Sequence, residues 1–561
     1  MPGSYREAWA SVARNRNLRL AQVSSLSAWT GEFLFLSAMT VYAFDQGGAA
    51  GVGLVGFLRV LPATLALPWL GALADRVSRR QLLVIACALR AVTAAGAAVA
   101  VDQPAVVYAL LTLSTVCHAA YRPVLAALFP TLCTRPEELT AVNAVRAILD
   151  GAAALIGPLA AAALLAGYDA AAAFAAVALL SGAAGALAAR LRYESPRPAA
   201  ADRPADRVGA VSDVVEGLRE LRRRPRALDV IVLGGAQCLV RGALTVLVVV
   251  VAVEVTDLGR PGVGVLWAAF GVGGFVAAMA SIGAAGSARL GTLFGAGIAM
   301  WGVPIVLIGL LTGSPVAVGA FVVIGAANAL VDVSGFTLLQ RLVPDQTLAR
   351  VLALTEAVFS LALALGSLAI PLVLSTLGDT GTLIATGGSL PVAVTARWAA
   401  LRAIDADIGV RRDRIVLLRR VGMFRLLPVP AIEGLALRLG RLRVPAQRDV
   451  FRKGDPADGF FVVESGRVAV IDDGHEIRRL GPGDAFGEIA LLRAVPRTAT
   501  VRAVEDTELA TLSGDQFVSA ITGFSATSST AEQVVTGYLS DDRQRHADPP
   551  RADPEGRRDS H

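Results

Sequence analysis

The stretch FGEIALLRAVPRTATVRA, Phe486 to Ala503, gathers groups suited to holding a phosphorylated sugar. A phosphate needs an arginine, backbone N–H groups free at a helix start, and small residues that permit close approach. A ribose hydroxyl needs a carboxylate. Gly487, Glu488 and Ala490 stand where a short helix would open, and Arg497 follows the glutamate by nine positions, with Thr498 and Ala499 behind it. A second set of reactive side chains lies in apolar surroundings: Glu32, Arg59, Arg90, Arg146, Asp150, Arg241, Asp332 and Glu356. At the centre of a bilayer each such group costs about 2.5–3.5 kcal/mol on insertion scales, so each needs a partner, a water-filled cavity or a task. Arg146 and Asp150 are four apart and share a helix face. Glu32 is the deepest carboxylate and the foremost candidate to carry a proton; a structural pair with one of the arginines is the alternative. His118 reads as a packed neutral histidine.

The elements that must position these groups follow from composition. Of 561 residues, 54% are apolar and 17% charged, with a mean hydropathy of +0.58. That balance points to many membrane spans. Apolar windows long enough to cross a bilayer are predicted near 19–43, 51–74, 82–101, 105–129, 139–166, 170–189, 228–253, 262–285, 290–312, 315–338, 351–376 and 381–402. Twelve spans make two six-helix halves. The charged first twenty residues lack the apolar core of a signal peptide. Basic residues crowd RNRNLR, DRVSRR and RRRPR, while the opposite loops hold only Arg260, so both termini are expected in the cytoplasm of a multi-pass cell-membrane protein. These runs are topology signals, and nucleic acid is not an expected partner. Cys87, Cys117, Cys133 and Cys238 form no Cys-x-x-Cys pair, so neither a disulfide framework nor a metal site is expected.

The halves, about 18–190 and 227–402, are separated by a polar, Pro-rich linker at 191–226, of which Val211–Arg224 could form a surface helix. ELTAVNAVRAILDGAAALIGP from Glu138 aligns with TLARVLALTEAVFSLALALGS from Thr347, pairing Gly157 with Gly366. Internal repeats of this kind recur in secondary transporters. After residue 402, a linker at 403–420 leads into a small domain at 421–540 and a polar tail at 541–561, expected to be disordered. RDVFRKGD, GFFVVESG, RVAVIDDG, HEIRRLGPGD, TATVRAVED and TELATLS alternate with period two between turns, as in a small β-sandwich or barrel. Helical segments at GDQFVSAITG and near Ala531–Leu539 follow.

GALADRVSRR, Gly71 to Arg80, resembles the Gly-x-x-x-Asp-Arg-x-Gly-Arg-Arg loop of the major facilitator superfamily. Gly71, Asp75, Arg76, Arg79 and Arg80 match, and Ser78 replaces a glycine. The resemblance implies a twelve-helix transporter fold in which Asp75 and Arg76 latch helix ends. Gly151, Gly157 and Pro158 resemble the Gly-Pro motif of drug and proton antiporters, which points to the branch of drug and siderophore exporters; close helix packing explains the same residues. Phe486–Val501 resembles the phosphate-binding cassette of cyclic nucleotide-binding domains. By that resemblance Glu488 holds the ribose 2′-hydroxyl, Arg497 holds the cyclic phosphate, and the N–H groups of Ala490 and Thr498 complete the cradle. Thr498 suits either cAMP or cGMP.

The fold class expected is therefore an all-α membrane transporter joined to an α+β β-roll with flanking helices. The function expected is proton-coupled efflux of an unidentified small molecule, regulated by cAMP or cGMP; the alternative is a transporter-fold receptor that signals to a partner. Neither catalytic residues nor cofactors are expected: there is no Gly-x-x-x-x-Gly-Lys-Ser/Thr loop, and Lys453 is the only lysine. A gated channel is excluded by the lack of a Thr-Val-Gly-Tyr-Gly filter.

Overall fold

Apolar runs of bilayer length can only be helical, because a backbone in hydrocarbon must satisfy its own hydrogen bonds. The computed structural model describes residues 14–74, 77–119, 121–133, 136–192, 219–280, 289–425, 427 and 429–522. The chain forms two compact units, Met1–Asp405 and Ala406–His561. The first contains α1 (Arg16–Ala74), α2 (Arg79–Val99), α3 (Pro104–Ala119), α4 (Tyr121–Leu132), α5 (Pro136–Gly167), α6 (Ala170–Ala189), α7 (Pro225–Val250), α8 (Gly259–Ala280), α9 (Leu290–Leu311), α10 (Ser314–Leu342) and the greater part of α11 (Asp345–Arg420).

Among the described residues, nine helices are long and apolar enough to cross a membrane. The sequence predicts twelve spans, and glycine accounts for part of the difference. Gly47 and Gly48 leave helical geometry inside α1, and Gly378 does so inside α11, each between two expected spans. Gly48 and Gly378 have φ of 56° and 65°, a left-handed region that glycine enters without steric penalty. The segment expected as one span at 105–129 is described as α3 and α4 on either side of residue 120, which lies outside the described residues, so neither piece reaches spanning length by itself.

The aligned glycines of the repeat do the same work in both halves. A Cβ on Gly157 would lie 2.6 Å from the Thr30 carbonyl oxygen, and one on Gly366 would lie 1.9 Å from that of Leu239. Each therefore lets a late helix of its half cross the first helix of that half at backbone contact. The halves also touch closely. A Cβ on Gly53 would lie 2.6 Å from the Ser367 carbonyl oxygen, and one on Gly264 would lie 2.2 Å from that of Pro158. Arg260 and Asp45 bridge the halves at 3.0 Å. The contact of Gly53 with Ser367 and that of Asp45 with Arg260 lie close in sequence to the kink at Gly48.

In the second unit, α12 (Val429–Arg438) precedes a pair of four-stranded antiparallel sheets. One has the order β1 (Gly440–Val444), β8 (Thr507–Ser513), β3 (Gly459–Ser465), β6 (Ala485–Phe486); the other has β2 (Asp449–Phe451), β7 (Thr500–Ala503), β4 (Val468–Asp472), β5 (His475–Leu480). Short helices α13 (Glu488–Arg493) and α14 (Gly514–Thr522) complete the unit. Strand alternation explains its two cores. On β3, Phe460 and Val462 point to a helical core with Phe424, Ile432 and Phe517, whereas Phe461 and Val463 point between the sheets toward Val468, Phe486 and Leu509. Strands β1 and β6 are missed by the sequence reading. β1 is an arginine-bearing strand exposed at four of its five positions, and β6 is a two-residue strand within the cassette that exists only by pairing with Phe461 and Val462.

Asp75 and Arg76, residues 193–218 of the linker, the helix expected near Ala531–Leu539 and the tail lie outside the described residues.

Candidate cyclic nucleotide site and transmembrane cavity

The cassette folds around Gly487. This residue caps α13 at φ 91°, and a Cβ there would meet Arg497 Nη1 at 2.7 Å and the Gly459 carbonyl at 3.1 Å. Only glycine leaves room for the guanidinium. Arg497 stands in the loop between α13 and β7, whose backbone is tied down by Arg497 N–H donating to the Asp455 carbonyl and Gly454 N–H donating to the Arg497 carbonyl. The side chain is 2% exposed and donates to the carbonyls of Gly487 (3.1 Å) and Gly459 (2.8 Å) and to Asp458 Oδ1 (3.0 Å). Its Cζ lies 4.2 Å from the centroid of Phe451, and its Nε has no partner. The guanidinium is thus set on an aromatic floor with donor capacity unspent.

Glu488 opens α13, 5% exposed, and its Oε2 is buried with no hydrogen-bond partner. Both side chains line a cavity of about 570 Å³, together with Ala490, Thr498, Ala499, Phe486 and Arg478 of β5. The sequence-predicted residues Gly487, Glu488, Ala490, Arg497, Thr498 and Ala499 are all brought to this one cavity. Phe451, Phe461, Asp458 and Arg478 were not read from the sequence. The alternation of β2 and β3 could have suggested the aromatic floor, but only their pairing brings it under Arg497.

Burial pushes the Glu488 carboxyl up to about 7, against weaker opposing effects of a backbone hydrogen bond and the charges of Arg478 and Arg497. Two consequences follow. With a folded value above the ordinary 4.5, this group's contribution to stability is full below about 4.5 and is lost as pH rises through about 7. Ligand binding has the opposite sign, because the ionised carboxylate is the better acceptor for a hydroxyl. Between pH 8 and pH 6 the ionised fraction falls about tenfold. Titration calorimetry of cAMP against the purified chain at the two pH values is expected to show a loss of affinity approaching that factor. Equal affinities would show that Glu488 does not accept a ligand proton.

In the first unit a cavity of about 680 Å³ lies where the two halves meet. Glu32, Arg59, His118, Asp150, Arg241 and Asp332 line it; Arg90, Arg146 and Glu356 are not among its lining residues. Glu32 pairs with arginines, the alternative to a proton-carrying role that the sequence left open. Arg59 donates to its Oε1 at 3.0 Å, and Arg90 Nη2 lies 2.7 Å from its Oε2 without hydrogen-bond alignment. Arg90 is 3% exposed and stacks over Phe35, 5.5 Å from the ring centroid. His118 Nε2 lies 3.8 Å from Glu32, with its ring stacked on Tyr121 and edge-on to Trp29. Asn328 donates to Asp332 at 2.9 Å. Gly71 falls within α1, and Arg80 Nη2 donates to the Ala189 carbonyl, which ties the foot of α2 to that of α6.

A helical bundle crossing the membrane, with a charged cavity between two related halves, defines a transporter-type membrane protein; a β-roll with a cradled arginine defines a ligand-binding appendage. Residues 23–402 match the Major Facilitator Superfamily, and residues 441–523 match the cyclic nucleotide-binding domain. The chain belongs to the major facilitator superfamily of multi-pass membrane transporters, fused to a C-terminal cyclic nucleotide-binding domain. Neither family is enzymatic.

Similarity to curated proteins is carried by short segments. An uncharacterized protein of Mycobacterium tuberculosis is 45% identical over 100 residues, which is 18% of this chain and 19% of that protein. The cAMP-dependent protein kinase regulatory subunit of Emericella nidulans is 38% identical over 128 residues, 21% of this chain and 31% of that one. The chain therefore spans less than a third of the length of either relative. Among solved structures, the regulatory domain of Toxoplasma gondii PKA with cAMP is 32% identical, covering 20% of this chain and 44% of that chain, with a TM-score of 0.19.

Proposed function

We propose that the chain is a twelve-helix secondary transporter, with both termini cytoplasmic, that exports a small molecule against a proton gradient under control of cAMP or cGMP. Twelve spans result if α1 and α11 each count as two at their glycine kinks and α3 with α4 counts as one. Domain boundaries of 1–402 for transport and 421–540 for the sensor follow. With the basic loops taken as cytoplasmic, the close contacts at Gly53 and between Asp45 and Arg260, beside the Gly48 kink, support a state closed toward the outside. Alternating access then requires Gly53 to part from Ser367, and Gly264 from Pro158, on the outer side.

One observation carries the regulatory reading: the same chain that holds a charged transmembrane cavity also holds Arg497 and Glu488, both buried, both lining one pocket and each with an unspent hydrogen-bonding atom. Arg497 would bind the cyclic phosphate, Glu488 the ribose hydroxyl, and the Ala490 and Thr498 N–H groups the remaining phosphate oxygens. Thr498 is exposed to the cavity where its hydroxyl can serve either phosphate or a guanine amino group. The last span and the sensor are linked through residues 403–420, the route by which ligand would act. For proton exchange we assign Asp150 and Asp332, lining acids of the cavity, in preference to Glu32, which serves as counter-ion to two arginines.

A ligand shifts a conformational balance only by its differential affinity, typically about 1–3 kcal/mol, so a change in transport rate of roughly 5- to 150-fold is the expected range. Comparison of flux in sealed vesicles with and without cAMP, in the wild type and in Arg497→Gln, tests this. A response that survives the substitution, or flux indifferent to cAMP in both proteins, removes the regulatory claim. Cyclic nucleotide binding with no flux of any substrate favours the receptor alternative.

A further inference from the structure

Three carboxylates and two guanidiniums line the transmembrane cavity, and one of the guanidiniums, that of Arg241, has no partner among the described residues. We propose that the cavity carries organic anions with an aromatic body, and that Arg241 receives the anionic group. This rests on reading the cavity as the transport site.

Arg241 lines the cavity from α7 and, among the described residues, has neither a hydrogen-bond nor an ion-pair partner for its guanidinium. Such a group within a membrane span is costly unless something answers it. Two further donors of lining residues are unanswered: Trp267 Nε1, from the same half as Arg241, and Arg59 Nε, from the N-terminal half, are both buried without an acceptor. The carboxylates of the cavity have neighbours other than Arg241, although Asp150 Oδ1 accepts no hydrogen bond. Glu32 faces two guanidiniums, Asp332 accepts from Asn328, and Asp150 has contacts of its own. One carboxylate between Arg59 and Arg90 leaves that cluster with an excess cation. Arg241 itself has no charged acceptor among the described residues.

The rest of the lining fits a flat apolar body. Trp29 and Phe33 come from the N-terminal half, and Trp267 and Phe270 from the other, with Trp267 and Phe270 in edge-to-face contact at 5.5 Å. Aromatic ligands gain from both stacked and edge-on neighbours. A carboxylate or sulfonate on such a body can accept from Arg241 and from the indole N–H together. Guanidinium binds either group through paired, charge-assisted bonds.

The test uses the full chain in lipid nanodiscs and four matched probes: naphthalene-2-carboxylate, naphthalene-2-sulfonate, naphthalene-2-carboxamide and 2-naphthylmethylamine. Calorimetry is expected to give the two anions at least a tenfold advantage over the amide and the amine, since only the anions offer the guanidinium a charge-assisted bond. Arg241→Gln should erase the advantage, and Arg241→Lys should restore part of it, which a purely structural role would not produce. If Arg241→Gln does not fold, Trp267→Phe removes the indole donor alone and should lower anion affinity several-fold while leaving the amide unchanged. Preference for the amine, or an anion preference indifferent to both substitutions, overturns the proposal alone. Binding of none of the four to the folded wild type overturns the proposal together with the reading of the cavity as a substrate site.

Discussion

Replacing Arg497 with alanine is expected to lower the affinity for cAMP and cGMP by about 100-fold or more. Two charge-assisted bonds to a phosphate, each contributing about 1.5–3 kcal/mol, together amount to at least two orders of magnitude. The geometry adds a complication. The guanidinium donates to the Gly459 and Gly487 carbonyls and to Asp458, so it is also part of the local structure. Alanine strips those carbonyls of a donor and leaves a void over Phe451. Thermal unfolding of the variant should therefore be measured beside its calorimetry. Arg497→Lys retains charge but loses the planar fork, and it should bind more weakly than wild type while unfolding closer to it. Unchanged nucleotide affinity in a folded Arg497→Ala protein would sink the assignment of this cavity as the nucleotide site.

Glu32→Gln is expected to destabilise the membrane unit by about 3–5 kcal/mol, the usual cost of breaking one side of a buried ion pair. Glu32 is the carboxylate that answers Arg90, a guanidinium 3% exposed with three nitrogens lacking aligned acceptors, and it also answers Arg59. Glutamine keeps the shape and removes the charge, so Arg90 is left as a buried cation. The double variant Glu32→Gln with Arg90→Gln should recover much of the loss, because both charges then leave together. A carboxylate whose main task is to carry a proton behaves differently: its glutamine variant folds as well as wild type and fails only in coupling. Equal unfolding temperatures for Glu32→Gln and wild type, with gradient-driven accumulation abolished, would return the proton-carrying role to Glu32.

The two families were legible in the sequence because each leaves a local record. Apolar runs of bilayer length record the spans, since lipid admits no other backbone solution for a single segment. Gly487, Glu488 and Arg497 lie within eleven consecutive residues, so one tight turn and one loop suffice to bring them together. The period-two alternation of GFFVVES likewise announces a strand, and in the structure that strand serves a core on each face. The pairing of Gly157 with Gly366 could be read as an alignment, and its physical reason is a backbone crossing in each half.

What only the tertiary structure decided are relations between residues far apart in the chain. Glu32 and Arg90 are 58 positions apart and Arg59 lies between them, so nothing local states that they meet, or that one acid must serve two bases. The kinks that join two spans into one continuous element depend on backbone angles at Gly48 and Gly378 that any glycine could have adopted or refused. Phe451 reaches Arg497 only because β2 pairs with β7, and β6 exists only because β3 offers it an edge. Ion pairing, aromatic support and unspent donors are properties of packing. A sequence lists the groups, and the fold alone determines which of them remain unanswered.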